Sequence, residues 1–137
     1  MKYLVSELVG ALLDAAVAKA DGLEPRIEPY RVTGGYGITF VRDDPVCVVG
    51  AEHFSPSSDW SHGGPIIERE RIALQFYSQH WGAVPHNAAG HEVPDLDERK
   101  HTQMGNGWCP VMADGETALV AAMRAFVRMR LGDEVEL

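Results

Sequence analysis

Residues 6–20 read Ser-Glu-Leu-Val-Gly-Ala-Leu-Leu-Asp-Ala-Ala-Val-Ala-Lys-Ala. Leu8, Leu12, Ala16 and Ala20 form one row at a spacing of four, and Val9, Leu13 and Val17 form the next. Two adjacent rows at that spacing make a broad apolar stripe on an α-helix. Ser6 is placed to cap that helix, its hydroxyl accepting from a first-turn amide, and Glu7 suits the positive end of the dipole. Gly22 stands where a left-handed residue closes a helix, and Pro25 and Pro29 keep it from resuming. The spacing predicts an amphipathic helix over 6–20.

Residues 117–131 repeat the pattern at the other end. Leu119, Met123, Phe126, Val127 and Leu131 share one helical face, Thr117 is the expected N-cap, and Gly132 the terminator. Strand signals lie between. The runs 30–33, 38–41 and 46–49 are separated by Gly34-Gly35-Tyr36-Gly37 and Asp43-Asp44-Pro45, which predicts a small antiparallel meander with the glycine string as a hairpin turn. Ile72, Leu74 and Phe76 alternate with Ala73, Gln75 and Tyr77, the period of a strand, and Trp81 and Ala83 are set to pair back across Ser78-Gln79-His80. Residues 54–65 read as a Ser-, Gly- and Pro-rich loop centred on Trp60, with one helical turn over 66–71. Residues 85–110 carry no period and read as an excursion on the core fold. Val135 and Leu137, in the acidic tail, are expected to pack back. The fold expected is α+β: one domain over 1–137, its N-terminal and C-terminal helices packed on one face of a small antiparallel sheet, with the Trp60 loop and the excursion at an edge.

Composition bounds the function classes. A chain of 137 residues, 45% hydrophobic and 23% charged, suits a single globular domain. Twelve basic against twenty acidic residues give −8, which speaks against direct nucleic-acid binding, since that needs clustered Lys and Arg. The basic cluster Arg124, Arg128 and Arg130 falls in the last turns of the second helix, where cations favour the dipole. Cys47 and Cys109 are too few for a Cys₄ zinc site and read as buried thiols in a reducing cytosol. Glu7 and Asp14 break the N-terminal apolar run that a secretory signal needs, and no stretch approaches the roughly 18 apolar residues of a membrane span. A cytoplasmic protein is expected, and a homodimer suits its size.

Three blocks carry a family resemblance. The first is Ser6-Glu7-Leu8 through Ala16-Val17-Ala18-Lys19-Ala20 with Gly22. The second is Tyr30 followed by Ser55-Pro56-Ser57-Ser58-Asp59-Trp60-Ser61-His62-Gly63-Gly64-Pro65-Ile66-Ile67-Glu68-Arg69-Glu70. The third is Thr117-Ala118-Leu119 through Ala121-Ala122-Met123-Arg124 to Leu131-Gly132-Asp133-Glu134-Val135. On these the chain resembles the NinX-like family of small proteins of tailed bacteriophages and prophages, whose function is not established. The Asp-Trp-Ser-x-Gly-Gly-Pro string is the specific part. Ala118 stands where relatives often have Pro, a preference at the first helical position and not a requirement. The 85–110 excursion departs from the family in length and histidine content. The resemblance implies a phage or prophage origin and a bacterial cytoplasm as workplace, and it implies no reaction.

The residues themselves favour an interaction site over chemistry. Asp59, Trp60, Ser61, His62, Gly63, Gly64 and Pro65 bring an aromatic, a carboxylate, a hydroxyl and an imidazole onto one loop. Its glycines admit a close backbone approach, and Trp is a favoured hot-spot residue. The structural alternative is that Trp60 plugs the core, Asp59 or Ser58 caps the following turn, and the glycines shape it. Ser61 beside His62 lacks the G-x-S-x-G elbow and third group of a hydrolase. His80, His86, His91 and His101 with Glu92, Asp95, Asp97 and Cys109 are competent zinc ligands at spacings that fit no tight motif. Cys109 shows no activating neighbour in the sequence order, and Gly34 to Gly37 lack the Lys and helix of a phosphate loop. No catalytic residue, metal or cofactor is therefore assigned. The expected partner is a host or phage protein engaged through the Trp60 loop. The alternatives are a small-ligand or metal-dependent enzyme using His and acidic groups, and an acidic DNA mimic built on residues 92–98 and 133–136.

Overall fold

The computed structural model describes residues 1–77, 79–85 and 112–137. The expected excursion therefore lies, but for Pro85, outside the described residues. In chain order the elements are β1 (Lys2–Leu4), α1 (Gly10–Ala20), β2 (Pro25–Thr33), β3 (Thr39–Val49), β4 (Glu52–His53), α2 (Trp60–Glu70), β5 (Ile72–Tyr77), β6 (His80–Pro85), β7 (Ala113–Gly115), α3 (Ala118–Leu131) and β8 (Glu134–Glu136). The class is α+β. The strands form three small antiparallel sheets among the described residues, where one was expected: β1 with β8, the meander β2-β3-β4, and β5-β6-β7. Helix α1 lies on β2 and β3, α3 lies on β5, β6 and β7, and the two helices pack on each other.

The core runs between those helices. Leu13, Ala16 and Val17 of α1 meet Ala121, Ala122, Met123, Ala125 and Phe126 of α3 in one buried cluster, which Val5, Leu8, Ile66 and Val135 complete. Alanines on both helices let the axes approach closely while Phe126, Met123 and Leu13 fill the remaining volume. The Phe126 ring is covered from outside by two guanidinium groups, Arg69 at 5.7 Å and Arg130 at 5.3 Å from its centroid. Those arginines are in turn held by Asp21 and Glu70, so α2 is tied to both other helices.

Helix α3 is the element most directly written in local signals. The Thr117 hydroxyl accepts from Val120 N–H at 3.1 Å, and Gly132 closes the helix at φ 91°. Replacing Thr117 by Ala removes that cap and should cost about 1 kcal/mol in urea unfolding, with the fold retained. Helix α1 ends as its sequence predicts. Gly22 takes φ 79°, its N–H donates to Lys19 O, and Leu23 N–H donates to Ala18 O. That pair of bonds satisfies the last carbonyls.

Its start differs from the expectation. Ser6 lies in a 3-10 turn over Val5–Glu7, and the helix begins at Gly10 without a side-chain cap. Burial of Val5 and Leu8 decides this, because the turn swings both inward. Tertiary bonds hold the segment that leads into the helix: Val5 N–H donates to Asp133 O, and Arg124 Nε donates to Leu8 O. Gly10, at φ 58°, lets the chain turn into the helix.

The meander holds two long strands where three short runs were expected. Gly34 N–H donates to Ile38 O across the predicted turn. Asp43-Asp44-Pro45 is not a turn but part of β3. Pro45 faces Pro29, neither can donate to the ladder, and the register slips there. Asp43 and Asp44 are the extra residues that the slip absorbs. Strands β5 and β6 pair as expected, Phe76 opposite Trp81 and Leu74 opposite Ala83, but His80 belongs to β6, opposite Tyr77, and not to the turn. Val135 packs back, buried in β8.

Candidate functional site

The stretch around Trp60 is helical, and this corrects the loop expected over 54–65. Asp59 is the N-cap of α2: its Oδ1 accepts from Ser61 N–H at 2.9 Å and from Ser61 Oγ at 2.6 Å. Those two bonds hold the Asp59 carboxyl below the ordinary carboxylate range. They also occupy the Ser61 hydroxyl. His62 turns the other way: its Nδ1 accepts from Ser55 N–H at 3.0 Å, and its ring stacks on Phe54 with centroids 5.9 Å apart. Ser61 and His62 thus point to different partners, and no relay joins them.

Seven residues were picked out in sequence, and the helix sorts them by side. Asp59, Trp60, Ser61 and Pro65 are exposed, His62 and Gly64 half-buried, and Gly63 buried. Trp60 does not plug the core; it is 56% exposed on the first turn of α2. Gly63 does admit a close backbone approach, but by the chain itself. A Cβ there would lie 2.4 Å from Pro56 O and 2.6 Å from Leu119 Cδ2. The Gly63 contact seats α2 against α3 and so fixes the direction in which Trp60 projects.

Beneath this turn lies a buried polar anchor that sequence reading did not single out. Asp14, on α1, is 4% exposed and accepts from Ser57 N–H at 2.8 Å. Burial raises the Asp14 carboxyl above its ordinary value, while the Ser57 hydrogen bonds and the His62 ring oppose the shift. Cys47 is also buried, and burial with the nearby Asp14 charge pushes its thiol up to about 11. Such a thiol is neutral at physiological pH and packs as an apolar group. An Asp in the middle of an apolar helix face was the available signal for the anchor.

Beside Trp60 is a hollow of about 300 Å³, lined by Ser57, Ser58, Thr117, Ala118, Leu119 and Val120. A second hollow of about 350 Å³ shares Thr117 and Val120 with it and continues to His80, Asp114 and Arg124. The start of α3 therefore belongs to the same surface as Trp60, although 57 and 117 are far apart in sequence. Arg124 is fixed in the second hollow, Nε on Leu8 O at 3.0 Å and Nη1 on Asp114 O at 2.8 Å. Burial lowers its guanidinium from the ordinary value, against the pull of Asp114 and Glu116. His80 Nε2 stands 3.7 Å from Asp114 Oδ2. Arg128 and Arg130 are committed too, to Asp133 and Glu70. The predicted basic cluster is thus a set of tethers.

Of the histidine and acid set, His80 alone falls among the described residues; His86, His91, His101, Glu92, Asp95, Asp97 and Cys109 lie outside them. Among the described residues no group of three or more His, Cys, Asp or Glu is placed to hold a metal ion. No helix among them is long and apolar enough to cross a membrane.

A family model described as "Bacteriophage P22, NinX" matches residues 4–130. No curated protein matches the chain.

Proposed function

Because this chain belongs to the NinX family of bacteriophage P22, we propose that it is a phage or prophage accessory protein working in the bacterial cytoplasm as a non-enzymatic interaction module. Its partner is a host or phage protein, engaged through Trp60 and the hollow at the start of α3. One observation carries the reading. An indole with more than half its surface in water stands on a helix turn that is locked from below by Asp59, His62 and the Gly63 contact. A large aromatic held rigidly in water loses little conformational freedom on binding and removes much apolar surface from water. The adjoining hollow offers a partner side chain hydroxyls and apolar walls together.

The test is Trp60→Ala. An exposed side chain contributes little to folding, so the variant should unfold within about 0.5 kcal/mol of wild type. Partners captured by wild type from a bacterial host lysate should be lost from it. Reconstituted with the purified partner, it should bind at least about tenfold more weakly. A folded variant that keeps every partner at wild-type affinity removes Trp60 from the interface.

A further inference from the structure

The segment between β4 and α2 leads directly to Trp60, and two titratable side chains hold its backbone. Ser57 N–H donates to Asp14 at 2.8 Å, and Ser55 N–H donates to His62 Nδ1 at 3.0 Å. Between them Pro56 is buried, and its carbonyl is the surface on which Gly63 seats α2. Ser55 O accepts from Ser58 N–H and from Asp59 N–H, so the turn into the Asp59 cap is built on Ser55. A shift at Ser55 is thereby passed to Pro56, to the seat of α2 and to Trp60 on its first turn.

The Ser55 bond selects a protonation state. An imidazole nitrogen accepts only when it carries no proton, so His62 is held neutral with its proton on Nε2. Turning the ring over sets a carbon against Ser55 N–H and supplies no acceptor. Imidazole is also the side chain whose ordinary charge change falls between about pH 5 and 8. A proton on Nδ1 sets two N–H donors against each other. Ser55 is half-buried, and an unpaired interior donor is costly, so its N–H must then move outward to water.

The charged ring has other partners. Asp14 from α1 and Asp59 from the cap of α2 both sense charge on His62. From β3 comes the Cys47 thiol, beside Asp14. Phe54, stacked on the ring, and Leu119 of α3, packed at Gly63, are uncharged, and His53 of β4 is turned to Tyr30. Protonation thus exchanges a backbone bond for the attraction of two carboxylates, which gives the segment two arrangements.

We propose that His62 is a proton-operated latch on α2: neutral, it holds Ser55 and fixes the first turn; protonated, it turns to the carboxylates, releases Ser55 and frees the direction of Trp60. The consequence for partner binding rests on the role proposed above for Trp60, whereas the latch itself does not.

Nuclear magnetic resonance on the full chain, with no partner present, tests the latch. Neutral His62 should show its proton on Nε2. As His62 titrates, the protection of Ser55 N–H from exchange, corrected for the intrinsic rate, should fall about tenfold. The Trp60 indole signal, assigned by its loss in Trp60→Phe, should shift with the same midpoint. His62→Asn offers an amide oxygen near the Nδ1 position and does not titrate, so both signals should stay at their neutral values at every pH. His62→Phe keeps the stack but has no acceptor, so Ser55 should be unprotected throughout. Asp14→Asn should retain the response, because His62 is what titrates. The proposal is overturned by a neutral His62 protonated on Nδ1, or by a Ser55 amide equally protected in both charge states. It is also overturned if His62→Asn responds as wild type does, or if the response vanishes in Asp14→Asn. Where a variant does not fold, the wild-type titration decides. Failure of the interface is a separate result: Trp60→Ala that keeps every partner removes the proposed function and leaves the latch standing. With a partner in hand, affinity should fall several-fold as His62 is protonated, and equal affinity on both sides of the titration overturns the regulatory consequence.

Discussion

Gly63→Ala should destabilise the protein by about 2 kcal/mol or more, while Gly64→Ala, one residue on, should leave stability close to wild type. The two glycines sit in the same helix, and propensity alone favours Ala at both by about 1 kcal/mol. Surroundings separate them. A Cβ at Gly63 meets the Pro56 carbonyl at 2.4 Å and Leu119 Cδ2 at 2.6 Å. Leu119 can rotate away, but the Pro56 carbonyl is backbone, so α2 must lift off the chain beneath it. Overpacking of that kind costs about 1–3 kcal/mol or more, and it outweighs the propensity gain. A Cβ at Gly64 has Trp60 Cε3 at 4.0 Å as its nearest neighbour. There the gain is offset by the following Pro65, which disfavours helical backbone in a residue with a Cβ. Urea midpoints of the two variants check the contrast. If Gly63→Ala also weakens partner binding after correction for unfolding, the seat of α2 sets the aim of Trp60.

That contrast also marks where sequence reading stops. Residues 63–65 are Gly-Gly-Pro, three helix breakers in a row, and on local grounds they describe a loop. They form a helix because Asp59 caps it and because the missing side chain at 63 permits a contact with Pro56 and Leu119 that no local rule can see. Where the determinant is local, reading succeeds. Thr117, Gly132 and Gly22 each act on hydrogen-bonding groups within a few residues, and all three do what their positions predict. The same is true of the alternation in 72–77. Where the determinant is a distant partner, reading fails. Ser6 loses the cap position because Val5 and Leu8 on either side of it are drawn into the core, where Asp133 and Arg124 hold their backbone. Asp43-Asp44-Pro45 is carried within β3, because pairing with β2 continues on both sides of the slip that absorbs it. The candidate site divides likewise. Trp60 and its neighbours were legible as a distinctive string, whereas Asp14 beneath them and the start of α3 beside them arrive only by folding.

Asp14 is the position at which charge and packing can be separated experimentally. Its carboxylate is the buried acceptor for Ser57 N–H, itself buried, and so anchors the segment leading into α2. Asp14→Ala leaves that donor unsatisfied and should cost about 2 kcal/mol. Asp14→Asn keeps an acceptor oxygen and discards the charge, and should equal or exceed wild type at neutral pH. The pH dependence follows from the direction of the shift. Burial raises the carboxyl in the folded state above its ordinary value, so the folded chain takes up a proton in a range where the unfolded chain does not. This group's contribution to folding is therefore largest below the ordinary carboxylate value and is lost as pH rises through the raised one. Asn does not titrate. The stability of Asp14→Asn relative to wild type should accordingly climb from acid toward neutral pH, while Asp14→Ala stays below Asp14→Asn throughout. Urea unfolding of the three proteins at several pH values reads both effects. A pH-independent gap between Asn and wild type would mean that Asp14 is solvated in the folded chain, and the anchor beneath Trp60 would then have to rest on His62 and Gly63 alone.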